Sequence, residues 1–384
     1  MPTPVKITKI EVESFAYALQ GLTQRLGGHR GGLYDPDSTY TREYSAVRVH
    51  ADNGVIGEYA GLFVSASSVA EYAKSYIGTN ALDRDFHYQR GKSPGTNSQM
   101  AAMDLALWDL AGKAADAPVH GLLGTYRRKI PAYASTIDGA MKGPLSTPES
   151  YGDFAIQCKE IGYKGFKIHP YPWSDTRDHI NTVLAVGESV GGDLDMMLDS
   201  YCLYETYADA LKVCRACDEA GFYWYEDPYS DGGVTNFSHK RLREQLKTML
   251  LQGEKLGTIE QRLDMVIQGA SDMTRADVGV QGLTGSIKLA HASEALGVDC
   301  EPHWTGPAQL HLLAATKNAN YYEMSWVHPT LPGFSPPIHK NMSIDSLHDI
   351  DSDGMLEVSD EPGFGVEYDW DYISRHSTGK VTID

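Results

Sequence analysis

The chain has 384 residues, 42% of them hydrophobic and 22% charged, a globular composition that excludes collagen-like, disordered and disulfide-stapled mini-protein classes. Its 51 acidic and 33 basic residues give a formal net charge of −18; a surface this acidic repels phosphate backbones and anionic headgroups, so neither nucleic acid nor a membrane is expected as a partner. No apolar run approaches the roughly 20 residues that span a bilayer, the first residues show no secretory signal, and an odd count of five cysteines fits reduced thiols in a cytoplasm.

Residues 1–130 read as an α+β unit. Ile7 to Tyr17 alternates like a half-buried strand. Ser45–His50 and Val55–Gly61 flank Asp52-Asn53-Gly54, a hairpin turn. Between them, Gly21 to Thr41 reads as a polar, Gly-rich loop carrying Arg25, His29, Arg30 and Tyr34. These four either bind a hydroxylated or doubly acidic substrate or belong to a solvated loop. Met103, Ala106, Leu107, Leu110 and Ala111 then follow helical spacing.

From residue 131 to about 350, short β-rich runs alternate with helical stretches. The runs are Pro131–Ile137, Gly165–His169, Leu194–Asp199, Phe222–Glu226, Leu250–Glu254, Ala276–Val278, Val298–His303 and Tyr321–Ser325. A step of about 20–30 residues is that of repeated βα units, and eight of them predict an α/β fold with a closed barrel. Cys214-x-x-Cys217 falls on a helical stretch and has no second cysteine pair, so no zinc site is expected. Residues 351–384 lose the barrel rhythm and carry turn signals at Asp353-Gly354 and Pro362-Gly363-Phe364-Gly365. They are expected to fold back on the first unit.

Chemistry-bearing residues gather at the ends of these strands. Lys167 and His169 close the second and share one face. Asp199 closes the third, Glu226 the fourth and Glu254 the fifth; Asp277 lies in the sixth, His303 closes the seventh, and Glu323 is in the eighth. In a barrel these ends point into one mouth. Three carboxylates there, Asp199, Glu226 and Glu254, cannot all stay ionised without a cation, and hard oxygen ligands suit Mg²⁺. Asp277 on the strand beside His303 would fix the ring tautomer and raise its basicity, making a general acid or base.

The ordered series resembles the enolase superfamily, and more closely its mandelate racemase subgroup. The resemblance is carried by Ala102-x-Asp104-x-Ala106-Leu107-Trp108-Asp109-Leu110-x-Gly112-Lys113, then Gly162-Tyr163-x-x-Phe166-Lys167-x-His169, Tyr225-Glu226-Asp227-Pro228 and Gly253-Glu254. Asp277, His303 and Glu323 complete it. It implies a modified (β/α)7β TIM barrel under an α+β capping domain completed by the C-terminal tail. It further implies Mg²⁺ as cofactor, a small-molecule carboxylate substrate, abstraction of the proton α to that carboxylate, and a homo-oligomer. Lys167 would add positive charge beside the substrate carboxylate, and Glu323, if protonated, would donate a hydrogen bond to its other oxygen.

Two positions depart from the family pattern. The second strand carries Lys167-x-His169 where Lys-x-Lys is common, so His169 is either a base on the face opposite His303, more often neutral at pH 7 than a lysine, or a hydrogen-bonding residue. Tyr201 stands where the family usually has Asn; it binds a substrate hydroxyl, acts as an acid, or packs. The leading expectation is a Mg²⁺-dependent dehydratase of an aldonate or aldarate, giving a 2-keto-3-deoxy acid. A 2-hydroxy-acid racemase or epimerase, a sugar-lactone cycloisomerase and a non-catalytic metal-binding relative are the alternatives.

Overall fold

The computed structural model describes residues 4–24, 32–92, 97–140, 142–172 and 174–384. Arg25, His29 and Arg30 lie outside the described residues. Three antiparallel strands, β1 (Ile7–Gln24), β2 (Gly32–Ala51) and β3 (Ile56–Leu62), come first. The β2–β3 turn falls at Asp52-Asn53-Gly54, with Gly54 at φ 84°. The segment read as a loop from Gly21 to Thr41 is instead largely strand: Gln20 pairs with Thr39 and Leu22 with Tyr34. Leu22 and Leu33 stand buried among its polar residues, too few to show an alternating core face, and backbone pairing to the neighbouring strand decides its conformation.

Helices α1 (Ala66–Ala73), α2 (Arg84–Gly91), α3 (Ser98–Ala114) and α4 (Val119–Leu123) follow. Every residue of α3 from Met100 to Gly112 is buried, because α3 is wedged between β3 and a later barrel helix. Gly57 permits that approach; a Cβ there would sit 2.2 Å from the Ala106 carbonyl oxygen.

Strands and helices then alternate: β4 (Lys129–Asp138), α5 (Pro148–Ile161), β5 (Gly165–His169), α6 (Thr176–Val190), β6 (Asp195–Asp199), α7 (Tyr207–Ala220), β7 (Trp224–Glu226), α8 (Asn236–Arg243), β8 (Met249–Gln252), α9 (Ile259–Ile267), β9 (Met273–Ala276), α10 (Val278–Ala295), β10 (Cys300–Pro302), α11 (Pro307–Ala315) and β11 (Tyr322–Val327). Parallel ladders join them in the order β11-β4-β5-β6-β7-β8-β9-β10. The run curls on itself, since Arg275 of β9 reaches Tyr133 of β4 at 3.1 Å and Glu323 of β11 at 3.3 Å. Between β10 and β11 the described residues form no ladder. There the Glu301 carboxylate accepts the Asn320 and Tyr321 backbone N–H groups.

The period-two alternation of the strands splits the interior in two. Phe166, Leu198, Tyr225 and Leu250 face the helices in the main core. Tyr133, Met197, Trp224, Leu251 and Met273 form a separate inner cluster. Cys214 and Cys217 lie buried in α7 as free thiols. The tail adds β12 (Met355–Glu357), paired with β4, then α12 (Trp370–Arg375) and β13 (Ser377–Ile383), paired with β1. Asp109 of α3 ties these parts together by accepting the Glu58 and Phe364 N–H groups at 2.8 and 3.0 Å and pairing with Lys113 at 2.7 Å. No helix among the described residues is long and apolar enough to cross a membrane.

Candidate active site

Lys167 and His169 lie two apart on β5, so both enter the barrel. The Lys167 ammonium, fully buried, lies 2.9 Å from Glu323 Oε1, 3.1 Å from Glu226 Oε2 and 3.5 Å from Asp199 Oδ2. Burial alone would lower its pKa, but Glu226 and Glu323 outweigh it and hold the amine well above its ordinary value. Lys167 is therefore a fixed cation.

Asp199 ends β6 and Glu226 ends β7, while Glu254 sits two residues past β8 rather than at its end. The Gly253 backbone at φ 123° makes that extra step. One oxygen from each of the three buried carboxylates lies within 4.8 Å of the other two. Such a set repels itself unless positive charge is shared among its members, and its hard oxygen donors fit a divalent cation of the Mg²⁺ kind. Burial raises the Glu226 pKa despite Arg275 and Lys167. Burial acts the same way on Asp199 and Glu254, but cations win at both: His169 and Lys167 hold Asp199 well below the usual range, and Lys255 and His303 lower Glu254.

His169 sits between two acceptors. Its Nδ1 faces the Thr136 carbonyl at 2.7 Å and its Nε2 faces Asp199 Oδ2 at 3.0 Å. Burial pulls its pKa down, Asp199 pulls it up, and the net shift is upward. Both ring nitrogens thus face acceptors, an arrangement that favours the protonated ring.

Asp277 is not a strand residue. It follows β9 and caps α10, its Oδ1 accepting from Gly279 N–H at 2.9 Å. Its Oδ2 lies 2.9 Å from His303 Nδ1, and His303 Nε2 lies 3.2 Å from Glu254 Oε2. Burial lowers the His303 pKa, but Glu254 and Asp277 more than compensate and bring it to about 9.

Glu323 accepts from four donors: Ser135 Oγ at 2.9 Å, Lys167 Nζ at 2.9 Å, Arg275 Nη2 at 3.3 Å and the Trp304 N–H at 2.8 Å. Burial opposes ionisation, yet Lys167 and Arg275 hold the carboxyl far below its usual range. With four donors around it, Glu323 is held in an arrangement that favours the carboxylate over a protonated donor.

A cavity of about 430 Å³ opens above these groups. His169, Asp199, Glu254, Asp277, His303 and Glu323 line its barrel side, and Arg42 and Phe63 line its cap side. Tyr201 is a wall residue: its N–H donates to Asp199 Oδ1 at 2.8 Å, and Lys255 Nζ lies 4.5 Å from its ring centroid. Tyr34 does not line the cavity, because its ring stacks on His328 at 4.3 Å. Sequence reading missed Arg42, whose guanidinium stacks on Phe63 and Trp326 at 4.3 and 4.8 Å. It also missed Lys255, which pairs with Glu254, and Arg275. A lone arginine in the apolar run before Asp277 was the available signal for the last.

Residues 151–372 match the model described as Enolase C-terminal domain-like, and residues 37–124 match Mandelate racemase / muconate lactonizing enzyme, N-terminal domain. D-gluconate dehydratase of Thermoproteus tenax is 26% identical over 269 residues, 64% of this chain and 52% of that protein, so the match spans about half of that relative's length. Arabinonate dehydratase of Saccharolobus solfataricus is 28% identical over 273 residues, 69% of this chain and 68% of that protein. A crystal structure of D-glucarate dehydratase from Agrobacterium tumefaciens, complexed with magnesium, superposes with a TM-score of 0.85 at 30% identity. That superposition covers 97% of this chain and 99% of that one.

Proposed function

The chain belongs to the mandelate racemase / muconate lactonizing enzyme group of the enolase superfamily, and from that membership we propose that it is a Mg²⁺-dependent acid-sugar dehydratase. One observation carries the reading: Asp199 and Glu254 of the three-carboxylate cluster line the same cavity as the Asp277–His303 pair, with Glu226 buried beside them. Asp199, Glu226 and Glu254 would hold Mg²⁺, which when bound would supply the positive charge that a carboxylate needs as its α-carbon loses a proton.

The chain's own groups do the rest. Asp277 fixes the His303 ring through Nδ1, and Nε2, which faces Glu254 at 3.2 Å here, would take the α-proton once Glu254 is engaged as a metal ligand. The C–O bond of the β-hydroxyl then breaks, the hydroxyl takes a proton and leaves as water, and the enol tautomerises to a 2-keto-3-deoxy acid. His169 lines the same cavity, and its Nε2, which faces Asp199 at 3.0 Å here, would give that proton once Asp199 is engaged as a metal ligand. Lys167 and Glu323 form the fixed floor. Two histidines in one cavity also favour a second reading, a 2-hydroxy-acid racemase or epimerase that returns the proton to the opposite face.

The test is incubation with Mg²⁺ and a panel of mono- and diacid sugars in D₂O, followed by proton NMR. New methylene signals from one substrate support dehydration. Loss of the α-proton signal alone moves the reading to racemisation or epimerisation. No change across the panel, with Mg²⁺ binding shown separately, rejects acid sugars.

A further inference from the structure

We infer that Arg275 is a positioning residue that locks the Glu226 carboxylate and the backbone on both sides of His303 into one rigid frame. Its side chain is fully buried and is not part of the cavity wall, so it acts only through its neighbours. Nε lies 2.6 Å from Glu226 Oε1 and Nη2 lies 3.1 Å from Glu226 Oε2, a bidentate grip on one carboxylate. Nη1 donates to the carbonyl of Pro302, the residue before His303, at 3.0 Å. Nη2 also reaches Glu323 Oε2 at 3.3 Å, and that same oxygen accepts the N–H of Trp304, the residue after His303, at 2.8 Å. The His303 N–H itself donates to the carbonyl of Ala276, next to Arg275, at 2.7 Å.

The frame has something to hold. Trp304 sits at φ 73°, a left-handed conformation that a bulky side chain keeps only when its surroundings over-determine it. Only a planar fork with several donors can span a carboxylate and a backbone carbonyl at once; a lysine ammonium in its place would have to choose.

The inference rests on the reading of Glu226 as a metal ligand and His303 as the proton-transfer group, so its test avoids substrate. Two variants are compared with the wild-type chain: Arg275→Lys, and a double variant carrying Arg275→Gln with Glu323→Gln, which removes the buried pair without stranding a charge. Each is titrated with Mg²⁺ by calorimetry. Each is also examined by NMR for the low-field imidazole N–H resonance of the His303–Asp277 pair, identified by its loss in His303→Asn. The expected result is Mg²⁺ affinity weaker by roughly 10–100-fold together with a displaced or broadened resonance. Wild-type values for either readout in a folded variant overturn the inference. Failure of both variants to fold, judged by near-UV circular dichroism, assigns Arg275 a purely structural role and overturns it as well. A wild-type chain that binds no Mg²⁺ instead rejects the proposed function.

Discussion

Asp277 Oδ2 lies 2.9 Å from His303 Nδ1 while Asp277 Oδ1 accepts the Gly279 N–H at 2.9 Å. One carboxylate therefore starts a helix and aims an imidazole. Because both oxygens are committed, Nδ1 is held as a donor, and Nε2, which lies 3.2 Å from Glu254 Oε2, is the end that remains to react. In the His303→Asn variant, α-proton exchange in D₂O is expected to fall at least about 100-fold. Exchange at the wild-type rate would remove His303 from the mechanism.

Asp199, Glu226 and Glu254 should make stability depend on Mg²⁺. A ligand that binds only the folded state adds about 2.7 kcal/mol at 100 times its Kd. Melting is expected to move upward with Mg²⁺ and back with chelator, and Asp199→Asn should lose most of that movement. Identical melting curves with and without Mg²⁺, up to millimolar concentration, would count against a site there.

Arg42 is the cap cation that the described residues bring to the cavity, held on Phe63 and Trp326. Arg42→Met should raise KM for an acid sugar roughly tenfold, the equivalent of one charge-assisted hydrogen bond, with a smaller change in kcat. Steady-state kinetics on the substrate found by NMR checks this. A fall in kcat at unchanged KM would place Arg42 in the chemistry instead.

Gly282 breaks the helical path of α10 at φ 69°, and a Cβ there would meet Asp104 Oδ2 at 2.5 Å. Asp104 in turn accepts the Thr284 N–H at 2.9 Å and the Thr284 hydroxyl at 2.5 Å. Gly282→Ala combines backbone strain with a collision against a buried acid and should cost at least about 2 kcal/mol in urea unfolding. A loss under about 0.5 kcal/mol would show that the α3–α10 contact is softer than this packing implies.

His311 is buried, receives the His120 N–H at Nδ1 and faces the Phe364 carbonyl with Nε2. Burial, with His120 beside it, lowers its pKa to about 3. The unfolded chain then binds the proton more readily than the folded one. The stability from a neutral His311 is complete above about pH 6.5 and is lost progressively as pH falls toward 3. Wild-type unfolding free energy should therefore drop more steeply than that of His311→Gln between pH 6.5 and 4. Parallel acid limbs would contradict this assignment.

The part of the site that was legible in the sequence sits where a regular element stops. Lys167, Asp199 and Glu226 each stand in or at the end of a short apolar strand, so one polar residue in a hydrophobic run was visible. Glu254 and Asp277 were legible as residues but misplaced, because composition does not mark where a strand ends and the following turn or cap begins. The outer part of the β1–β2 pairing was missed because its few buried residues, Leu22 and Leu33, sit among polar residues without an alternating pattern. Arg275 escaped because a buried arginine is defined by partners from β4, β7, β10 and β11, contacts that exist only after folding. The partners of His169 are of the same kind, with Thr136 and Asp199 facing its two ring nitrogens.

Asp109 accepts an N–H from Phe364 across 255 residues, and Glu43 accepts the Thr378 hydroxyl across 335. These long spans govern the order of assembly on the ribosome. The barrel strands can pair as they emerge, but β1 remains an open edge until β13 is made, and α3 lacks its last backbone partner until residue 364 appears. Until residues 377–383 are available, β1 therefore presents an unpaired edge to its neighbours. A chain that lacks this segment is expected to be more prone to edge-to-edge association than one in which β13 covers β1.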